Sequence, residues 1–348
     1  MTLMLFPWQI TAPAPIFIKG AMRRPLGWAS RAFGGFVMDI DYFGRRMTFG
    51  PSENQGAEFF PRPLAEGLWV LGNYYFNLYL VTGSQASALI EVGVSAVADT
   101  VIRQLESIGI NPSFLVVTHP HADHVTGLQG LGERYPVALV VAGDGAADFL
   151  AHPRFQETAA REDRHIWQAL KDRGLEPGRP PVAQAPGLMN CLIARDGDEM
   201  DLGGLTLRFL EAEGHSPGNI NVYVPELEAL VASDSLGFHF EKRGFLPLFL
   251  ADYAAYVQTI RRLSSFSTRV LCVAHQGPLS GREVAAAAFQ QARQAAEALH
   301  DRILSSRQDV DSMAGELFRE FYAEAFLLYS RETVEGVCKS LVKRARQA

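Results

Sequence analysis

Apolar residues along this chain fall into short continuous runs separated by glycine and polar turns. Leu68–Leu71, Asn77–Thr82 and Ala88–Glu91 each hold four to six residues, the length of buried strands, and glycines punctuate them. From Val97 to Ile108 the period changes: Val101, Ile102, Leu105 and Ile108 share one side of a helix that Gly109 ends. Strand-like runs return at Phe114–Thr118 and Val137–Val141. Residues 143–190 then read as an insertion with a polar helix from Thr158 to Arg173 and a proline-rich exit. Strands and hairpins resume from Gly197 through Leu205–Leu210, Val222–Val224, Ala229–Ala232 and Val270–Val273. After Gly281 the pattern is helical, over Glu283–Leu304, Val310–Leu328 and Glu332–Ala348, with Leu317, Phe318, Phe321, Tyr322 and Phe326 at the spacing of a buried face. Strands alternating with helices predict an α/β fold.

The end of the run Phe114–Thr118 carries the chemistry. Thr118-His119-Pro120-His121-Ala122-Asp123-His124 places three imidazoles and a carboxylate within six residues, in a chain with only nine histidines. Grouped imidazoles are costly to bury without a partner, so the cluster points to metal. In an extended turn His119 and His121 point the same way, while Asp123 and His124 reach further on, which suggests two ions sharing one loop. Such a site needs more ligands, and His or Asp also ends other strand-like runs at His215, Asp234 and His275. His152 and His165, inside the insertion, read as surface residues.

In order and spacing these residues resemble the metallo-β-lactamase superfamily over about residues 63–280. That resemblance implies a four-layer αββα sandwich with a C-terminal helical extension. It also implies that His119, His121 and His215 hold one divalent ion, Asp123, His124 and His275 a second, and that Asp234 bridges them. Zinc, iron and manganese suit this donor set about equally. Three positions depart from the family pattern: Glu91 where Asp is usual, Ser233 where Gly precedes the bridging Asp, and Gln276 where Gly follows the last His. The segments around Glu91 and from Asp234 to Leu263 are similar to the quinolone signal response and glyoxalase II-like thioesterase branch.

The implied activity is hydrolysis of a thioester, ester or lactone by a metal-bridging hydroxide, with Asp123 and Asp234 as the carboxylates at the reacting centre. Two divalent ions, two carboxylates and a hydroxide leave the site about +1, which suits an anionic or acyl small-molecule substrate. Phe238, Phe240 and Phe245 follow Asp234 closely and are candidate walls of a substrate pocket. Phosphodiester hydrolysis, mononuclear-iron sulfur dioxygenation, and a signalling or binding role with incidental hydrolysis remain open alternatives.

Composition narrows the remaining classes. With 48 % apolar residues the 348-residue chain can bury a large core. Residues 1–62 read as an N-terminal arm, 63–280 as the catalytic domain and 281–348 as the helical extension. The net charge of −6 is uneven, since the first fifty residues carry six basic against two acidic side chains, +4, which leaves −10 elsewhere. An acidic body without a dense basic stripe disfavours nucleic acid. Three widely spaced cysteines suggest a reducing cytoplasm. The proline-broken apolar start makes a poor membrane span. A homodimer through the arm or the C-terminal helices is a further expectation.

Overall fold

A computed structural model describes residues 59–188 and 191–348. Expectations for the arm, including its part in a dimer, lie almost wholly outside the described residues.

Two sheets face each other. The first runs β1-β2-β3-β4-β5-β6-β7, comprising Arg62–Ala65, Leu68–Gly72, Asn77–Thr82, Ser87–Ile90, Phe114–Val117, Leu139–Gly143 and Leu192–Ala194. Its first four strands pair antiparallel, and β4 to β7 are parallel. The second sheet is ordered β15-β14-β11-β10-β9-β8, from β8 (Glu199–Asp201), β9 (Thr206–Glu211), β10 (Ile220–Val224), β11 (Ala229–Val231), β14 (Val270–Cys272) and β15 (Leu279–Ser280). A separate hairpin of β12 (Phe238–Phe240) and β13 (Gly244–Leu246) lies between β11 and β14 in the chain.

The continuous apolar runs follow from burial of both faces of each sheet. Tyr79 and Val81 of β3, Val116 of β5, Val222 and Val224 of β10 and Val231 of β11 belong to the core between the sheets. Their sequence neighbours Leu78, Leu80, Leu115, Tyr223 and Leu230 belong to the other core, under the helices. The two-residue period of a strand sorts them. The helices are α1 (Ser95–Ile108), α2 (Ala122–Val125), α3 (Leu128–Arg134), α4 (Ala146–Ala151), α5 (Pro153–Asp172), α6 (Tyr253–Leu263), α7 (Arg282–Ser305), α8 (Val310–Phe321) and α9 (Arg331–Ala345). The αββα sandwich and the C-terminal helical region expected from the sequence are both present.

Two helices differ from the sequence reading. The insertion helix starts at Pro153 rather than Thr158, because proline fits the first helical position, where its missing N–H costs nothing. The helix expected over 310–328 stops at Phe321. Its chain then turns into a 3-10 segment, Glu324–Leu328, entered through the left-handed Glu324 (φ 52°). That break brings Tyr329 to the edge of the sandwich where the strand-end histidines gather. At that edge the sheets are clasped together. The Tyr79 hydroxyl donates to Val273 O at 2.6 Å, and Asn77 N donates to Ala274 O at 2.8 Å.

Candidate metal centre

After β5, His121 is extended (ψ 156°), and its ring lies 4.8 Å from that of His119 two residues earlier. The short α2 then carries Asp123 and His124. His215 follows β9, Asp234 lies in the 3-10 turn Ser233–Leu236 after β11, and His275 follows β14. All seven expected ligands meet at one point. His119, His121 and His215 form one group with mutual donor distances under 4.8 Å, and Asp123, His124 and His275 form a second. Asp234 stands between them. Its Oδ2 is 3.9 Å from His119 Nε2, 3.8 Å from His215 Nε2 and 3.5 Å from His124 Nε2, while Oδ1 is 3.5 Å from His275 Nε2.

Four imidazoles are aimed by what holds their other nitrogen. Nδ1 of His275 lies 2.7 Å from Tyr75 O, that of His215 2.9 Å from Leu248 O, and that of His124 2.9 Å from Glu91 Oε2. His119 Nδ1 is 3.1 Å from Thr118 Oγ1, whose own hydroxyl donates to Glu91 Oε1 at 2.8 Å. Each partner accepts a proton from Nδ1, so that in the neutral ring the Nε2 lone pair faces inward. His121 is reversed, with Nδ1 3.1 Å from His215 Nε2. Buried His119 Nε2, His124 Nε2, His275 Nε2 and Asp234 Oδ1 have no hydrogen-bond partner among the described residues. Inward-facing buried acceptors without donors are what a bound cation satisfies. The donor set fits two divalent ions. Glu91 could also group with His119 and His124, but both its oxygens are already engaged, so it serves as an outer partner.

Burial, and then the neighbouring His215, hold His121 down to about 3, and burial likewise lowers His119 and His215. These imidazoles are neutral and ready to ligate. His124 goes the other way: burial opposes its charge, but Asp123, Glu91 and Asp234 outweigh it and raise its pKa. A metal on that side therefore displaces a proton, so its binding weakens in acid.

The three departures from the family pattern now have a conformational setting. Glu91, Ser233 and Gln276 all have positive φ (73°, 47° and 58°). A left-handed non-glycine residue costs about 1 kcal/mol or more. Gln276 offsets part of this, its Oε1 accepting from Tyr74 Oη at 3.1 Å and Glu241 N at 2.8 Å. Glu91 does so through Thr118 and His124.

A cleft of about 420 Å³ opens on His121, Asp123, His215 and Asp234. Phe155 of α5, Phe238, Leu248 and Phe326 wall it, and Arg154 and Arg161 reach it with exposed side chains. Of the three expected pocket aromatics only Phe238 faces this cleft, its ring stacked on His275 at 4.2 Å. Phe240 packs on Phe238 and Phe326, and with Phe245 it borders a separate depression beside α7. Phe240 shares the face of Phe238 on β12 but lies two residues further along the strand, whereas Phe245, paired opposite His239, takes the other face; proximity in sequence reveals neither. Sequence reasoning also missed Tyr329, whose hydroxyl donates to Asp123 Oδ2 at 2.8 Å. No motif marks it.

Residues 74–275 match the Metallo-beta-lactamase superfamily. A metallo-beta-lactamase fold-containing protein of Sulfurisphaera tokodaii is 23 % identical over 252 residues, 70 % of this chain and 86 % of that protein. A hydroxyacylglutathione hydrolase of Parasynechococcus marenigrum is 28 % identical over 189 residues, 52 % of this chain and 59 % of the relative. Among solved structures, a metallo-beta-lactamase family protein of Thermus thermophilus superposes with a TM-score of 0.58 at 21 % identity, covering 82 % of this chain and 95 % of that one. The chain belongs to the metallo-beta-lactamase superfamily.

Proposed function

We propose that the protein is a dinuclear metal-dependent hydrolase that cleaves a thioester, ester or lactone bearing an apolar acyl group. The observation that carries this reading is the inward set of partnerless buried acceptors on His119, His124, His275 and Asp234. His119, His121 and His215 would hold one ion, Asp123, His124 and His275 the other, and Asp234 both. Bound there, two divalent ions supply a water acidified toward neutrality and a Lewis acid for the developing oxyanion.

The chain's own residues do the rest. Thr118, Glu91, Leu248 O and Tyr75 O keep the imidazoles in one tautomer and orientation. Phe155, Phe238 and Phe326 exclude water and seat the acyl portion, while Arg154 at the rim offers its charge to an anionic group on the substrate. Among the described residues the cleft offers no free carboxylic acid to protonate a poor leaving group. Asp123 and Asp234 belong to the ligand set, both oxygens of Glu162 accept from Ser330 and Thr333, and Glu332 pairs with Arg161. This favours thiolates, which depart unprotonated, over amines. The name of the hydroxyacylglutathione hydrolase relative supports the same class.

The test is elemental analysis of protein purified with ample metal, followed by thioester, lactone and phosphodiester panels on the same sample. Close to two ions per chain with thioester turnover is expected. One iron per chain with oxygen uptake would refute the proposal.

A further inference from the structure

Asp123 is the carboxylate that its half of the ligand set does not share, and a hydroxyl from the far end of the chain fixes its rotamer. Tyr329 Oη donates to Asp123 Oδ2 at 2.8 Å, the same oxygen that lies 3.3 Å from His124 Nε2 and 3.7 Å from His275 Nε2. A carboxylate oxygen has two lone pairs, so one can accept from the hydroxyl while the other faces the position between His124 and His275. The tyrosine ring is held edge-on to Phe238 and against Phe326.

The segment carrying Tyr329 is seated by a buried carboxylate on the insertion helix. Glu162 Oε1 accepts from Ser330 N at 2.8 Å, and Oε2 accepts from Ser330 Oγ at 2.5 Å and Thr333 Oγ1 at 2.6 Å. The next residue faces the metal loop. Asp163 Oδ1 accepts from Thr126 Oγ1 at 2.6 Å and Ser95 N at 3.1 Å, and its Oδ2 from Ser95 Oγ at 2.6 Å and Val182 N at 2.9 Å. Thr126 directly follows α2, which carries Asp123 and His124. Two successive carboxylates on α5 thus fasten the C-terminal segment and the ligand loop to one frame, and both are buried, at 4 % and 0 % exposure.

We propose that the C-terminal extension is a working part of the metal centre, in which Tyr329 is a positioning residue for Asp123 and Glu162 seats the segment that delivers it. The inference rests on the dinuclear reading above. Seating of the extension and loading of the Asp123–His124–His275 position are then linked, and each strengthens the other by the same factor. A purely structural tyrosine would pack the cleft wall without acting on the neighbouring ion.

The test uses metal-free full-length protein titrated with Co(II) against a chromophoric chelator, with the visible spectrum of the loaded protein and hydrogen exchange of residues 324–345 as further readouts. Wild type should take up two ions and show slower exchange around Tyr329–Thr333 when loaded. Tyr329→Phe keeps the ring and its packing. It should weaken one of the two ions by about 10–100-fold, as loss of an outer partner does, change the Co(II) spectrum and abolish the metal-dependent protection. Glu162→Gln should weaken the same ion less and speed exchange at Ser330–Thr333 already without metal. Wild type binding two ions with Tyr329→Phe indistinguishable in affinity and spectrum overturns this inference alone. Wild type binding fewer than two ions overturns the functional reading and this inference together.

Discussion

Replacing Glu91 by Gln tests whether the outer carboxylate governs the ion beside His124. Glu91 is 1 % exposed and divides its oxygens, Oε2 toward His124 Nδ1 at 2.9 Å and Oε1 toward Thr118 Oγ1 at 2.8 Å. Gln has the same shape but one acceptor. With its oxygen toward His124 the tautomer survives, and the amide donates to Thr118, whose hydroxyl must turn to Ser233 Oγ at 3.3 Å. The bond to His124 then changes from charge-assisted, about 1.5–3 kcal/mol, to neutral, about 0.5–1.5 kcal/mol. The loss is about 1–1.5 kcal/mol, or roughly 5–12-fold in affinity at about 1.4 kcal/mol per decade. With the amide reversed, His124 Nδ1 must accept and its proton moves to Nε2, which removes the ligand altogether. Calorimetric titration of metal-free protein should show one of two ions weakened by at least this factor, with the fold unchanged by circular dichroism. Equal affinities for both ions in Glu91→Gln and wild type would sink the assignment of Glu91 as an outer partner.

Two further substitutions probe how the site is built. Gly214 precedes His215 with φ 101°, and a Cβ there would lie 2.2 Å from Tyr256 N; Gly214→Ala should cost about 1–3 kcal/mol in overpacking and lower the melting temperature and metal occupancy together, an unchanged melting curve counting against the packing argument. His239 is buried, and desolvation, opposed by the backbone of His275, lowers its pKa to about 4. The unfolded chain protonates this imidazole near pH 6.5 while the folded one refuses until about 4. Its stabilising contribution is therefore whole above the unfolded value and falls with acidification across that window, by at most about 1.4 kcal/mol per pH unit. Metal-free His239→Gln should show a shallower decline in denaturant midpoint from pH 6.5 to 4 than wild type; parallel curves would refute it.

Much of this protein was legible from local pattern. Period-two burial of both sheet faces made the strands readable as apolar runs, and the His-x-His-x-Asp-His spacing announced a ligand loop because one extended turn and one helical turn place those side chains by local geometry alone. His215, Asp234 and His275 were identifiable as strand-end residues, and the resemblance supplied their grouping. What no window could contain was the company each ligand keeps. Glu91 stood out as a departure from a family pattern, yet its role as the partner of His124 depends on β4 lying parallel to β5, 33 residues apart in the pair it makes. Tyr329 meets Asp123 across 206 residues, after a helix break where sequence periodicity predicted continuous helix. Phe245 turned from the cleft because its pairing opposite His239 put it on the other face of the hairpin from Phe238, and Phe240, on the face of Phe238, sits two residues further along the strand. Covalent geometry over a few residues dictates strands, helices and the ligand spacing, whereas outer hydrogen bonds and cleft walls are made between segments that only packing brings together.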